Sequence, residues 1–155
     1  MSIAKRIAVL SSVGLAACGS ETLGPPVGPL RLEGTIGRAS IQVGDTTSLV
    51  FRLRNVSHES LTLNFSNSCQ IMPYITAGAS DKVVYPGGGA WGCYLVLTSF
   101  TLAPGAERVV SVLVRGGEQA TASGVPLLPG QYQAYAQLEH PDFPVRSASV
   151  SLRVE

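Results

Sequence analysis

Beyond residue 30 the chain reads as an all-β, immunoglobulin-like antiparallel β-sandwich of about seven to nine strands, and three observations predict it. Apolar and polar residues alternate with a period of two in several short runs, as in Leu49, Phe51 and Leu53 against Arg52 and Arg54, the pattern of a half-buried strand. Clusters of Gly, Pro, Asn and Asp punctuate these runs as turns do. No stretch after residue 17 keeps the apolar period of a helix.

Taken in chain order, the first element is a leader. Lys5 and Arg6 precede an apolar run over residues 7–17, broken only by Ser11, Ser12 and Gly14. A helix of that length reaches only ~16 Å, about half of a ~30 Å hydrocarbon core, so it is too short for a permanent span. Small Ala16 and Ala17 fit the end of a signal peptide, and with Cys18 they complete Leu15-Ala16-Ala17-Cys18. This tetrad resembles the lipobox of bacterial lipoproteins. The resemblance implies a diacylglyceryl group on the Cys18 thiol, removal of residues 1–17 and acylation, palmitate included, of the new N-terminus. A single acyl chain binds membranes marginally at ~0.8 kcal/mol per buried CH₂, whereas two or three hold firmly. The expected location is therefore the bacterial cell envelope. Gly19 stands where an inner-membrane retention signal would place Asp, which favours the outer membrane in a cell with two membranes.

Residues 18–30 follow as a tether. Gly19, Gly24, Pro25, Pro26, Gly28 and Pro29 fall here with no apolar periodicity, a composition suited to a spacer. Residues 31–155 are expected to form one domain, a length that sustains its own core. The leader holds two of the eleven basic residues, leaving nine against ten acidic ones. Lys82 is the one lysine beyond the leader, so no basic surface for nucleic acid is expected.

Strands are predicted over residues 30–36, 48–54, 61–65, 70–76, 93–102, 108–114, 131–138 and 148–154. Between them lie Val43-Gly44-Asp45, Asn55-Val56-Ser57, Pro86-Gly87-Gly88-Gly89, Pro104-Gly105 and Pro129-Gly130, all turn signals. Two such half-apolar sheets must bury their inner faces against each other. Tyr132 follows the Pro129-Gly130 turn where immunoglobulin-like domains carry a tyrosine corner. Ala134 stands where antibody domains place a cysteine, so the usual inter-sheet bridge is missing.

With Cys18 assigned to lipid, Cys69 and Cys93 remain as a pair in an oxidising compartment, and a disulfide between them is expected. It should join neighbouring central strands, or a strand and the loop beside it, and contribute about 3 kcal/mol through loop closure. A metal site is not expected, because the only histidines, His58 and His140, fall in no ligand spacing. No cofactor is expected either.

The series Phe51-x-Leu53-x-Asn55-x-Ser57, Leu61-x-Leu63-x-Phe65-Ser66, Leu102-x-Pro104-Gly105-x-Glu107 and Leu128-Pro129-Gly130-x-Tyr132 resembles the BsuPI-type domain over about residues 40–140. That family is named for a bacterial intracellular proteinase inhibitor with an immunoglobulin-like sandwich, and the resemblance implies the fold and, as an alternative function, proteinase inhibition.

Catalysis is not expected. A nucleophile needs a base within hydrogen-bond reach, yet both histidines lie in turn-like sequence and no Gly-x-Ser-x-Gly elbow occurs. The glycine run at residues 87–89 lacks the Gly-Lys-Ser/Thr of a phosphate loop and reads as a loop tip. Tyr85, Trp91 and Tyr94 flank those glycines and are the candidate partner-binding residues, since aromatic side chains concentrate binding energy. Trp91 has a competing reading as a plug in the sandwich core. The expectation is a non-catalytic binding module for an extracytoplasmic protein or polymer, tied to the membrane through Cys18.

Overall fold

The computed structural model describes residues 28–78, 80–118 and 124–155. The predicted leader, the lipidation site Cys18 and most of the tether lie outside the described residues. No helix among the described residues is long and apolar enough to cross a membrane.

The described residues form twelve strands. The first is β1 (Leu30–Ile36), so Leu30, expected as the last residue of the tether, lies in a strand. It is followed by β2 (Ser40–Ile41), β3 (Thr46–Asn55), β4 (Leu61–Phe65) and β5 (Ile71–Ala77). The middle of the chain contributes β6 (Lys82–Tyr85), β7 (Thr98–Leu102) and β8 (Glu107–Gly116). Last come β9 (Val125–Leu127), β10 (Gly130–Leu138), β11 (Val145–Arg146) and β12 (Val150–Val154).

One sheet runs β1-β3-β8-β9 and the other β2-β12-β10-β5-β6, with β11 also paired to β10. The central ladders are antiparallel, and the short β2 and β9 add parallel edges to β12 and β8. This is an immunoglobulin-like sandwich: β1, β3 and β8 face a sheet built on β12, β10 and β5. The alternation that predicted β3 is what fills the core. Leu49, Phe51 and Leu53 are fully buried and join Ala134, Ala136 and Leu138 of β10 and Ile75 of β5 in one apolar cluster. The Phe51 ring lies over its cross-strand partner Gly34, whose missing side chain leaves the room.

Polar residues close both ends of the buried face of β3. At one end, Thr47 Oγ1 accepts from Arg38 N at 2.8 Å and donates to Arg38 O at 3.2 Å, fastening the turn into β2. At the other, Asn55 is wholly buried. Its Nδ2 donates to Glu59 O at 2.7 Å and Leu102 O at 2.9 Å, while Oδ1 accepts from Ser57 N at 2.9 Å. The main chain of Asn55 exchanges bonds with Gly105 and Ala106. The β3–β8 ladder stops here, and beyond the break the same two lengths of chain pair again as the β4–β7 ribbon. The predicted Asn55 turn is thus the last residue of a strand and a fastening between two ladders.

Several predicted boundaries change. The strand predicted over 93–102 is confined to Thr98–Leu102. The strand predicted over 148–154 begins at Val150, and β11 precedes it as a separate piece. Between them Ser147 replaces ladder geometry with a side chain: its Oγ accepts from Ala136 N at 3.0 Å and its N donates to Ala136 O at 2.9 Å. β2, β6, β9 and β11, each of four residues or fewer, were not predicted, because so short an element carries no readable period.

Both sheets have a common end at which Leu30 pairs with Asn55 and Leu138 pairs with Ile71 and Val145. It is called the proximal pole below. Pro29 O accepts from Val56 N here at 2.8 Å, and Gly28, Pro29 and Leu30 line a hollow with Phe143, Pro144 and Val145.

Candidate functional site

The proximal pole carries an arm formed by the chain between β6 and β7. Leaving β6 at Tyr85, it makes a short 3₁₀ turn at Gly87–Gly89, so the predicted loop tip is a turn with defined hydrogen bonding, Gly89 N to Pro86 O at 2.9 Å. The arm then reaches the turn between β4 and β5, where Cys93 is bonded to Cys69 across a Cα–Cα distance of 5.5 Å. The expected disulfide is present, but it joins two loop residues; neither cysteine lies in a strand. The bridge links the ribbon's outgoing turn to the returning arm.

Hydrogen bonds fix the arm on both sides of a four-residue run. Ser68 N donates to Tyr94 O at 2.9 Å, and Tyr94 N donates to Ser68 Oγ at 2.9 Å. At the far side Thr98 Oγ1 donates to Asn67 O at 2.8 Å and accepts from Gln70 Nε2 at 3.0 Å. Asn67 Oδ1 in turn accepts from Cys69 N at 2.8 Å, shaping the turn from within. Between these fixed points the side chains meet solvent: Tyr94 is 79% exposed, Leu95 96%, Val96 49% and Leu97 86%. Isolated exposed apolar residues are ordinary, but a contiguous run held in one conformation marks a surface for contact.

The three predicted partner-binding residues therefore divide. Tyr94 is exposed. Tyr85 and Trp91 are half-buried and meet each other edge to face at 5.3 Å between centroids. Burial pushes the Tyr85 phenol above its ordinary pKa. Trp91 is no plug of the sandwich: Tyr85 packs against the buried cluster, and Trp91 lies outside it. Its indole Nε1 is buried with no hydrogen-bond partner among the described residues.

Leu95, Val96 and Leu97 were missed. The signal was four consecutive apolar residues with no alternation, read as part of a strand. Such a run suits a strand covered on both faces, and a two-stranded ribbon at the end of a sandwich cannot cover both.

The remaining predicted residues take structural places. Tyr132 OH donates to Leu128 O at 2.7 Å, the geometry of a tyrosine corner, and burial raises its pKa. His58 lies in the β3–β4 turn. His140 is buried, stacked on Phe143, edge-on to Phe65, and its Nδ1 accepts from Asp142 N at 3.2 Å. It borders a shallow concavity of about 480 Å³, with Gln137, Glu139, Pro144 and Arg146 on the other walls. Arg146 lies over the ring of Tyr135 at 3.6 Å, and Tyr135 stacks on Tyr74; the Tyr74 pKa is raised by burial and then by Glu139 and Tyr135. Among the described residues no three of His, Cys, Asp and Glu come together as a metal site.

With this geometry in view, the likeness of the chain to known proteins is slight. No family model matches the chain, and no curated protein matches it. Among solved structures it is similar to the CARDB domain of a Pyrococcus furiosus protein, at 14% identity and a TM-score of 0.49, over 81% of this chain and 94% of that one. It is also similar to part of a β-glucosidase from Erythrobacter marinus, at 13% identity and a TM-score of 0.47, over 81% of this chain. A third likeness is to the alkylpurine DNA glycosylase AlkC of Pseudomonas fluorescens, at 16% identity and a TM-score of 0.48, over 82% of this chain. The chain spans 15% of the glucosidase and 30% of the glycosylase.

Proposed function

We propose that the protein is a cell-envelope lipoprotein whose immunoglobulin-like domain is a non-catalytic interaction module, docking through the arm at its proximal pole. In this reading residues 1–17 are a cleaved leader, Cys18 carries the lipid, residues 18–30 form the tether and residues 31–155 the module, with the outer membrane as its place in a cell that has two. The observation that carries the docking reading is the solvent-facing run Tyr94-Leu95-Val96-Leu97, pinned between a disulfide and paired hydrogen bonds. A contact surface fixed in advance loses little conformational entropy when it binds. Lipid attachment is supported by the Leu15-Ala16-Ala17-Cys18 tetrad.

A photo-crosslinking residue at position 95, introduced into the chain made in its native host, tests the docking surface. The expected result is a crosslink to an envelope component, a protein, a polymer or a lipid, that is lost on moving the crosslinker to position 109 on the outer face of β8. Equal yields from both positions would overturn it.

One observation favours proteinase inhibition as a second reading: the same run is irregular, exposed and disulfide-held, a form that a protease cleft accepts. Titration against a panel of extracytoplasmic proteases, with no inhibition at micromolar concentration, would remove that reading and leave the first intact.

A further inference from the structure

We infer that the run Tyr94-Leu95-Val96-Leu97 rests in the interfacial layer of the phospholipid bilayer that holds the Cys18 lipid, so that the domain stands on the membrane by its proximal pole. The inference builds on the lipid-anchor reading above and names what the arm touches.

Placement is the first argument. The chain comes into the domain at Pro29, bonded to Val56 at the proximal pole, and the run is fastened to Ser68, a few residues before Ile71 at the same pole. Nine residues lie between Cys18 and Gly28, and the ten Cα-to-Cα steps give a contour of at most ~36 Å. The ten residues of β3 extend about 34 Å, so the opposite pole lies nearly a full tether length farther out. The pole bearing the exposed run is therefore the one nearer the anchor.

Chemistry is the second. One tyrosine and three aliphatic residues compose the run, and residues 66–70 and 92–97 include no charged side chain. A polar-tipped aromatic beside aliphatic groups suits the boundary between headgroups and acyl chains. The run itself carries no basic residue, so its contact depends on apolar burial, and Arg54 and Arg146 at the same pole stand beside Glu107 and Glu139. Size is the third argument. A stable protein interface uses about 20–30 residues a side, far more than this run of four. A small apolar wedge becomes effective when a covalent lipid has already brought it to the surface, the two-signal arrangement of peripheral membrane proteins.

The test uses the full chain made in a bacterial host and reconstituted in phosphatidylcholine vesicles, with Leu95→Trp as the probe; position 95 is almost fully exposed, so the substitution leaves packing intact. The added emission, over that of the parent with Trp91, should fall at least twofold when the lipids carry brominated acyl chains, equally in neutral vesicles and in vesicles with phosphatidylglycerol. Leu97→Asp in the same chain should abolish that quenching. Mass spectrometry of the same sample separates the two readings. An acylated Cys18 with emission that bromolipid leaves unchanged and aqueous acrylamide quenches overturns the inference alone. Emission that shifts with protein density but not with bromolipid, a contact between copies, also overturns it. A bare Cys18 in a chain that stays off the vesicles overturns both.

Discussion

Asn55 shows how much one side chain decides in a fold of this kind. Every hydrogen-bonding group it owns is used within the protein, and its partners belong to two segments, Ser57 N and Glu59 O in the β3–β4 turn and Leu102 O at the end of β7. Asn55→Ala leaves those groups without partners at a buried position and should destabilise the domain by about 3 kcal/mol, read from urea unfolding. Its role was hidden in the sequence, where Asn before Ser reads as a turn; a buried polar hub depends on segments distant in sequence. Tyr132 was legible, because its spacing from Pro129-Gly130 is local. Tyr132→Phe removes the bond to Leu128 O and should cost about 1 kcal/mol. Its raised pKa gives a pH signature. The folded state keeps the phenol proton when the unfolded chain releases it near pH 10, so this stability is intact below pH ~10 and declines as pH rises through the folded value. Alkaline unfolding followed by circular dichroism should therefore begin above pH ~10, and at a higher pH in Tyr132→Phe. Gly116 is constrained by space: a Cβ there would sit 2.6 Å from Gln42 O and 3.0 Å from Val154 Cγ1. Gly116→Ala should cost about 2 kcal/mol in the same urea assay, since backbone must move to admit it.

At the level of elements, the ladders in the middle of each sheet were the readable part. Apolar alternation in β3, β4 and β10 matches the faces they bury, because a residue that packs against the opposite sheet announces itself every second position. The arm was not readable for the converse reason: its conformation is set by Cys69, Ser68, Asn67 and Gln70, which lie 24 or more residues away from their partners. The disulfide was expected from cysteine count and compartment, yet its location between two loops required the fold. Replacing Cys69 and Cys93 together with serine opens a loop of that length and should lower stability by about 3 kcal/mol. The loss should fall unevenly. Amide exchange of residues 94–97 and of the turn before β5 should rise most, with the β3–β8 ladder changed little, because the ladder is closed independently by Asn55 and the core. A uniform rise across both sheets would show that the bridge supports the sandwich itself.

Over the whole molecule, composition and periodicity were enough for the class of fold, and the Leu15-Ala16-Ala17-Cys18 tetrad suggested where such a fold would be held. Neither could show that the chain's arrival at Pro29 and the exposed apolar run share one pole, since that coincidence is created by strand direction in three dimensions. The break at Asn55 has a practical consequence. Everything between Tyr85 and Thr98 hangs from a ribbon with its own covalent clasp, beyond the point at which the main ladder has ended. The domain is thereby a ready-made display frame: foreign peptide grafted between Cys93 and Thr98 would be presented at a fixed site, its length and composition free to vary while the sandwich core behind it stays as it is.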